Sequence, residues 1–244
     1  YNFFPTKPYG LLAQYFVLQS FHPRISTFDQ WTNVLGLVPM YQFANSKLWF
    51  PLSFNYTDLQ SDKYYTAFTI NPTYLHMLSP KVGLEAKFRW AKEYYWFNED
   101  QQNVVVKIPE DQRTNQSLGG SLGLYYFFKN QEGYLLGRFT YQHNFAKGTN
   151  WDASSYQLLL QALYPINSRL KVSAFLNLLL EPYDNLWFGS TAVNQPLAWH
   201  SKREDKILIT GLNATYEVYK NVDFRVQYYF IRDDSNNQLY NYSR

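Results

Sequence analysis

The chain contains 244 residues, of which 46% are hydrophobic, 20% aromatic and 17% charged. The charged fraction is below the roughly 25% of soluble domains, which excludes a disordered chain. No stretch approaches the ~18 uncharged apolar residues of a transmembrane helix. A net charge of +3 without a lysine or arginine run argues against nucleic acid as a partner, and the absence of cysteine excludes disulfides and thiolate metal sites.

Apolar and polar residues alternate with period two along most of the chain, which predicts β-strands. The clearest case begins at Leu170, where every second residue through Leu180 is apolar or alanine and the residues between them include Lys171, Ser173 and Glu181. In chain order, we predict eleven strands at about 11–21, 33–44, 47–58, 64–78, 81–97, 114–129, 133–145, 154–165, 169–182, 205–219 and 223–233.

The connections between these strands alternate between short and long. The long ones are predicted at 22–32, 59–63, 98–113, 146–153 and 183–204. Tight turns at one end and long loops at the other are typical of an outer-membrane barrel, in which a closed sheet pairs every backbone group. The predicted fold is therefore an all-β, antiparallel transmembrane outer-membrane β-barrel, located in the bacterial outer membrane. A soluble β-sandwich or a lipocalin-like barrel is the alternative.

Tryptophans near the predicted strand ends fit an interfacial aromatic girdle, as expected for a membrane barrel. The girdle candidates are Trp31, Trp90, Trp96, Trp151, Trp187 and Trp199. Residues 1–244 read as a single barrel domain, with Tyr1–Phe4 as the end of a further strand. Because eleven strands do not close an even-stranded barrel, we expect the sequence to be truncated at both ends.

Several short segments resemble the barrel region of tetratricopeptide-linked outer-membrane proteins, including the surface lipoprotein assembly modifier family. These segments are Tyr164–Ile166, Ala146–Asp152, Arg203–Asp205 and Asp234–Arg244. The resemblance implies a complete barrel of about fourteen strands, a periplasmic tetratricopeptide domain or partner, and a role in surface assembly or export.

Catalytic chemistry was sought around the four histidines, since lipolytic barrels use a serine–histidine pair. His143 has no serine two residues away, His76 stands alone, His22 precedes a proline, and His200 is adjacent to Ser201. No spacing places two histidines on one face. We therefore expect no enzyme activity, no metal and no cofactor.

Charged residues on the polar face of the strands are the lumen-lining candidates, because charges in a barrel wall face water or one another. They are Glu85, Lys87, Arg89, Arg138, Lys171, Glu181, Glu217 and Arg225. Two interpretations remain open for them: a polar pore that selects solutes, or a neutralising ladder in which Glu85, Lys87 and Arg89 lie beside Glu217 and Arg225. Aromatic residues on the same face are either sugar-stacking or space-filling; they are Trp49, Tyr125, Phe127, Phe175 and Tyr229.

The favoured function is an outer-membrane pore or translocator that exports a polymer or protein to the cell surface. The expected partners are outer-membrane lipid and lipopolysaccharide, a tetratricopeptide domain and the exported cargo. The alternatives are a scaffold barrel with a plugged lumen that anchors a surface assembly and, in third place, a membrane-embedded hydrolase.

Overall fold

The computed structural model describes residues 8–20, 30–59, 62–96, 112–190, 196–219, 222–236 and 242–243. These residues are almost entirely β-strand, with one turn of 3-10 helix at Thr149–Trp151. The strands are β1 (Tyr9–Ser20), β2 (Gln30–Phe43), β3 (Ser46–Trp49), β4 (Leu52–Leu59), β5 (Asp62–Ile70), β6 (Thr73–Ser79), β7 (Val82–Tyr95), β8 (Asn115–Phe128), β9 (Gly133–Ala146), β10 (Ala153–Pro165), β11 (Leu170–Ser190), β12 (Pro196–Tyr219), β13 (Val222–Ser235) and β14 (Tyr242–Ser243). No helix within these ranges is long and apolar enough to cross a membrane.

Two of the predicted strands are each interrupted by a proline. Residues 47–58 form β3 and β4, which are separated at Phe50 and Pro51, and residues 64–78 form β5 and β6, which are separated at Asn71 and Pro72. Proline has no N–H to donate to the ladder, so the strand assignment breaks at both positions. With each interrupted pair taken as one strand, the eleven predicted strands are all present, and β14 adds a two-residue strand after them.

All strand pairs are antiparallel and neighbours in the sheet follow the chain order, so the described strands form one meandering sheet from β1 to β14. The interrupted strands keep this order, since β2 pairs with both β3 and β4, and β7 pairs with both β5 and β6. The predicted fold class, an antiparallel sheet of the barrel-wall type, is confirmed. Within the described ranges, no pairing joins β1 to β13 or β14.

Two predicted long connections differ in the structure. The connection predicted at 59–63 comprises only residues 60 and 61, because β4 ends at Leu59 and β5 begins at Asp62. The loop predicted at 183–204 is largely strand, since β11 runs to Ser190, β12 begins at Pro196, and these two residues are paired. The polar composition of 202–206 suggested a loop, but its residues alternate between the two faces of β12.

The two faces of the sheet have opposite character, as β8 illustrates. Leu122 and Leu124 on one face are 71% and 53% exposed, whereas Phe127 on the other is 1% exposed. We call the face of Leu122 and Leu124 the outward face and the opposite one the inward face. Exposed leucines and aromatic rings continue along the outward face of the neighbouring strands. An apolar surface of this extent is what a barrel wall presents to lipid.

Candidate functional site on the inward face

A network of charged groups on the inward face centres on Glu85 of β7, which is 5% exposed. Arg138 of β9 donates from Nε to Glu85 Oε1 at 2.7 Å, although β8 lies between the two strands. Gly123 of β8 is the direct cross-strand partner of both residues. Because Gly123 has no side chain, the carboxylate of Glu85 and the guanidinium of Arg138 can reach each other over the backbone of β8.

Further donors complete the network around this carboxylate. Tyr125 donates its hydroxyl proton to Glu85 Oε2 at 3.2 Å, and Lys87 Nζ lies 3.4 Å from Glu85 Oε1. Arg89 instead contacts Glu93, with Nη2 3.6 Å from Oε1. The structure therefore brings together three lumen candidates in one ionic cluster, in which the buried carboxylate of Glu85 contacts two partly buried cations, Lys87 and Arg138. Glu217 and Arg225, which the ladder interpretation placed beside them, lie elsewhere on the sheet.

A hydrophobic cluster lies on the same face towards the end that carries the short turns, such as 80–81 and 129–132; we call this the turn end and the opposite one the loop end. The cluster contains Leu75, Met77, Tyr125, Phe127 and Leu136, with Trp49, Tyr134 and Leu159 packed against it. Tyr125 and Phe127 stack with their ring centroids 5.3 Å apart. Phe175 and Tyr229 form a separate contact at 5.9 Å. Trp49, Tyr125, Phe127 and Phe175 therefore contact other aromatic or apolar side chains, whereas Tyr229 remains 47% exposed.

A polar cavity of about 640 Å³ occupies the inward face of β9–β13 at the turn end. Three lumen candidates line it, Lys171, Glu217 and Arg225, together with Ser173 and Asn213. None of the three charged groups forms an ion pair within the described ranges. Unlike the Glu85 network, this cavity therefore offers its charges of both signs to a solute.

A second buried ionic group lies near the loop end, and the sequence analysis identified only one of its members, Glu181. Arg203 Nε donates to Asp205 Oδ1 at 3.0 Å, and the side chains of both residues are more than 90% buried. Asp205 is the cross-strand partner of Glu181, whose carboxylate accepts a hydrogen bond from Ser155 at 2.8 Å. The signal available in the sequence was the spacing of Arg203 and Asp205, which places an opposite-charge pair on one face of a strand.

Asp233 of β13 adds a third carboxylate to this group. It is 5% exposed, and its Oδ1 has no hydrogen-bond partner in the described part of the chain. Its carboxylate is close enough to interact unfavourably with the carboxylates of Asp205 and Glu181 and favourably with the guanidinium of Arg203.

The tryptophan candidates for an interfacial girdle occupy different environments. Trp31 is 42% exposed on the outward face of β2, Trp90 contacts Phe68 edge-on at 6.0 Å, and Trp96 Nε1 donates to Thr66 Oγ1 at 3.2 Å. Trp151 lies in the 3-10 turn, where its ring contacts the guanidinium of Arg113 at 4.2 Å and that of Arg203 at 5.7 Å. The side chains of Trp187 and Trp199 lie outside the described residues.

Two of the histidines contact serines that lie on neighbouring strands. His76 Nδ1 is 2.8 Å from Ser46 Oγ, and His143 Nδ1 is 3.1 Å from Ser154 Oγ. A search for serines within the same strand could not find these partners, since they are separated by 30 and 11 residues in sequence. His22 and the side chain of His200 lie outside the described residues. No group of three or more histidine, aspartate or glutamate side chains in the described ranges has the geometry of a metal site.

No protein-family model matches the sequence, and no curated protein matches it. Among solved structures, the chain is similar to the copper transporter OprC, with a TM-score of 0.46 and 13% identity over 95% of this chain and 44% of that one. The TodX monoaromatic hydrocarbon channel gives a TM-score of 0.47 at 10% identity over 86% of this chain and 69% of that one. The translocator domain of the autotransporter NalP from Neisseria meningitidis gives 0.39 at 9% identity over 85% and 77%. This chain thus spans less than half the length of the first of these structures.

Proposed function

We propose that this chain is the wall of a bacterial outer-membrane pore or translocator. The observation that carries the proposal is the polar cavity of about 640 Å³ on the inward face, behind a wall whose opposite face is apolar. A sheet with lipid on one side and water on the other has this division of residues. The ion pairs elsewhere on the inward face support the same assignment, because charged groups are stable in a membrane wall only when paired or hydrated.

The charges of the cavity give the pore its selectivity in this proposal. Lys171, Arg225 and Glu217 line one volume without ion pairs within the described ranges, so each contributes to the field that a permeating ion experiences. The hydrophobic cluster beside the cavity narrows the passage on the side of β6–β9.

The finer proposal concerns cargo and partners and rests on the family resemblance of the sequence. In that proposal the pore exports a polymer or protein to the cell surface, with a tetratricopeptide domain on its periplasmic side and lipopolysaccharide around it. The polar, charge-lined cavity is suited to a hydrophilic cargo rather than an apolar one.

The test is single-channel conductance of the intact protein in planar bilayers. Open-channel current is expected, and Arg225→Glu should shift the reversal potential in a salt gradient towards cation selectivity. Val226→Ala on the outward face is the matched control, adjacent in sequence and without effect on selectivity. Current that is unchanged by Arg225→Glu would contradict the proposed lining.

A scaffold barrel with a closed lumen is the second candidate. It is favoured by the Glu85–Arg138 pair and by the adjoining hydrophobic cluster, which together occupy much of the inward face of β6–β9 beside a smaller cavity of about 180 Å³. This candidate predicts no current from the intact protein. Substitution of Phe127 by alanine, which removes a fully buried ring from the cluster, would not open a conducting path in a scaffold of that kind.

A further inference from the structure

We infer that Ser154, His143 and Asp184 form a serine esterase site on the outward face, with the acyl ester of a membrane lipid as its substrate class. This activity is additional to the proposed pore and uses the opposite face of the wall. The three residues lie on the adjacent strands β9, β10 and β11, near the loop end.

The contacts between the three side chains have the order of a nucleophile, a base and an orienting acid. Ser154 Oγ lies 3.1 Å from His143 Nδ1, and Asp184 Oδ2 lies 3.7 Å from His143 Nε2. When Nδ1 accepts the serine proton, the ring proton is on Nε2, which is the nitrogen that faces the carboxylate. The two nitrogens therefore have the separate roles that nucleophilic catalysis requires.

Neighbouring groups restrict the movement of this site. Phe145 packs edge-on against the His143 ring with centroids 4.3 Å apart. The backbone N–H of Asp184 donates to the carbonyl of Asp152 at 2.9 Å, which holds β11 against the connection before β10. The imidazole is thus carried on a paired strand, whereas the carboxylate lies in the irregular stretch of β11 between Pro182 and Leu186, which this backbone hydrogen bond ties to the neighbouring connection.

The other serine–histidine contact of the outward face shows what distinguishes this site. Ser46 is 2% exposed and its hydroxyl also contacts Tyr74 OH at 3.0 Å, so a substrate cannot reach it. Within the described ranges, His76 has no acidic side chain in ion-pair contact. Ser154 is more accessible, and its histidine does have a carboxylate.

An apolar groove of about 480 Å³ on the outward face points to a lipid substrate. Its apolar lining residues are Phe139, Tyr156, Leu158, Leu178 and Leu180, and the charged side chains of Lys206 and Asp234 also line it. Tyr156 is two residues beyond Ser154 on the same face of β10, so the groove begins next to the serine. An acyl chain in this groove would hold its ester group at the serine hydroxyl.

Two tyrosines lie between the serine–histidine contact and the groove. Tyr141 and Tyr156 contact each other at 5.3 Å on the outward face, one step along the strands from His143 and Ser154. Tyrosine is enriched at membrane–water interfaces. The serine therefore lies at the interfacial edge of the groove, on its loop-end side.

The reaction balances with water as the second substrate. Ser154 Oγ bonds to the ester carbonyl carbon while its proton passes to His143 Nδ1, and the ester C–O bond breaks as the lipid alcohol takes that proton. Water then attacks the acyl-serine, again with His143 as base, and the products are a free fatty acid and restored serine. Asp184 is a positioning residue that stabilises the histidinium formed in each step.

The test uses the intact protein in phosphatidylcholine–detergent mixed micelles and measures fatty-acid release, with labelling by a fluorophosphonate probe as a second readout. Ser154→Ala should abolish labelling and lower release by about 10³-fold, as should His143→Ala for release. Asp184→Asn should lower release by about tenfold or more and shift the pH–rate profile, which a purely structural role would not do.

Ser46→Ala is the matched control, because it removes the serine of the other serine–histidine contact and should leave labelling and release unchanged. Heat-modifiable migration confirms that each variant is folded. Folded wild-type protein that neither labels nor releases fatty acid would overturn the proposal, as would full activity in Ser154→Ala. Channel conductance of Ser154→Ala should equal that of wild type, so failure of the esterase is distinguishable from failure of the pore.

Discussion

Glu85 and Arg138 form a 2.7 Å ion pair across a strand to which neither belongs. Their strands, β7 and β9, are separated by β8, and the residue directly between them is Gly123. A Cβ atom at Gly123 would lie 3.2 Å from Glu85 Oε1 and 3.3 Å from Leu136 Cδ1. The ion pair therefore depends on a missing side chain in the intervening strand.

Gly123→Val is expected to destabilise the protein by about 2–4 kcal/mol, because the new side chain separates a buried charge pair. Gly137→Val is the matched control, since a Cβ at this outward position meets only Leu160 Cδ2, at 3.7 Å. Urea unfolding in lipid vesicles measures both variants. Equal stability of the two would show that Glu85 and Arg138 do not need the gap at Gly123.

Arg203→Met should be strongly destabilising, by about 3–5 kcal/mol, because it leaves the buried Asp205 carboxylate without its guanidinium and close to Glu181 and Asp233. Lys206→Met is the control, three residues along β12 on the outward face. Its side chain is 68% exposed and pairs with Glu204 at 3.1 Å, so we expect a change below about 1 kcal/mol. The same unfolding measurement ranks the two variants, and a larger effect at Lys206 would contradict the assignment of faces on β12.

Asp233→Asn should stabilise the protein at neutral pH, because it removes a buried carboxylate that lies near the carboxylates of Asp205 and Glu181. Urea unfolding measures the effect at two pH values. We expect a gain of about 1–2 kcal/mol at pH 7.5 and no gain at pH 3.5, where carboxyl groups are protonated in the folded and the unfolded chain alike.

The control for this pH dependence is Asp234→Asn, the next residue along β13. Asp234 is exposed on the outward face and pairs with Arg232 at 2.9 Å, so its removal should not give a gain that grows with pH. A gain at Asp233 of equal size at both pH values would indicate that relief of burial, rather than ionisation, is responsible.

Val172→Arg and Ser173→Arg test the orientation of β11 with two adjacent residues. Val172 lies on the outward face towards the turn end of β11, where arginine is destabilising by an amount that falls from about 2–4 kcal/mol at the membrane midplane to about 0–1 kcal/mol near the interface. Ser173 lines the polar cavity and should accept arginine at far lower cost. Heat-modifiability and urea unfolding compare the two, and a one-residue register error would reverse the ranking.

The strands could be predicted well from the sequence, because the alternation of apolar and polar residues is visible within each strand. This alternation arises because one face of each strand contacts lipid and the other contacts water. The sequence predicted the extension of β11 and β12 poorly, since Lys202–Lys206 are all charged and the two faces there have similar polarity. Pro51 and Pro72 were the available signal for the two breaks within the strands predicted at 47–58 and 64–78.

The contacts of the candidate sites depended on register, which the sequence did not provide. Glu85 meets Arg138, and His143 meets Ser154, only after neighbouring strands are aligned residue by residue. Arg203 and Asp205 belong to a segment that resembles the family, and their opposite charges at a spacing of two also indicate a pair on one face of β12.

The interruptions at Pro51 and Pro72 affect where the backbone hydrogen bonds of the sheet open most readily. Asn71 N–H donates to the Pro51 carbonyl and Phe88 N–H to the Pro72 carbonyl, while Phe50 N–H donates to Pro39 in β2. Pro39, Pro51 and Pro72 each accept a backbone hydrogen bond at the carbonyl from the next strand, but they donate none, because proline has no N–H. Each of three successive strand pairs therefore lacks one backbone hydrogen bond, and the three missing bonds lie on one line across the sheet. Amide hydrogens beside this line should therefore exchange with deuterium earlier than those of β8–β10. Local opening of the sheet is expected to begin along this line.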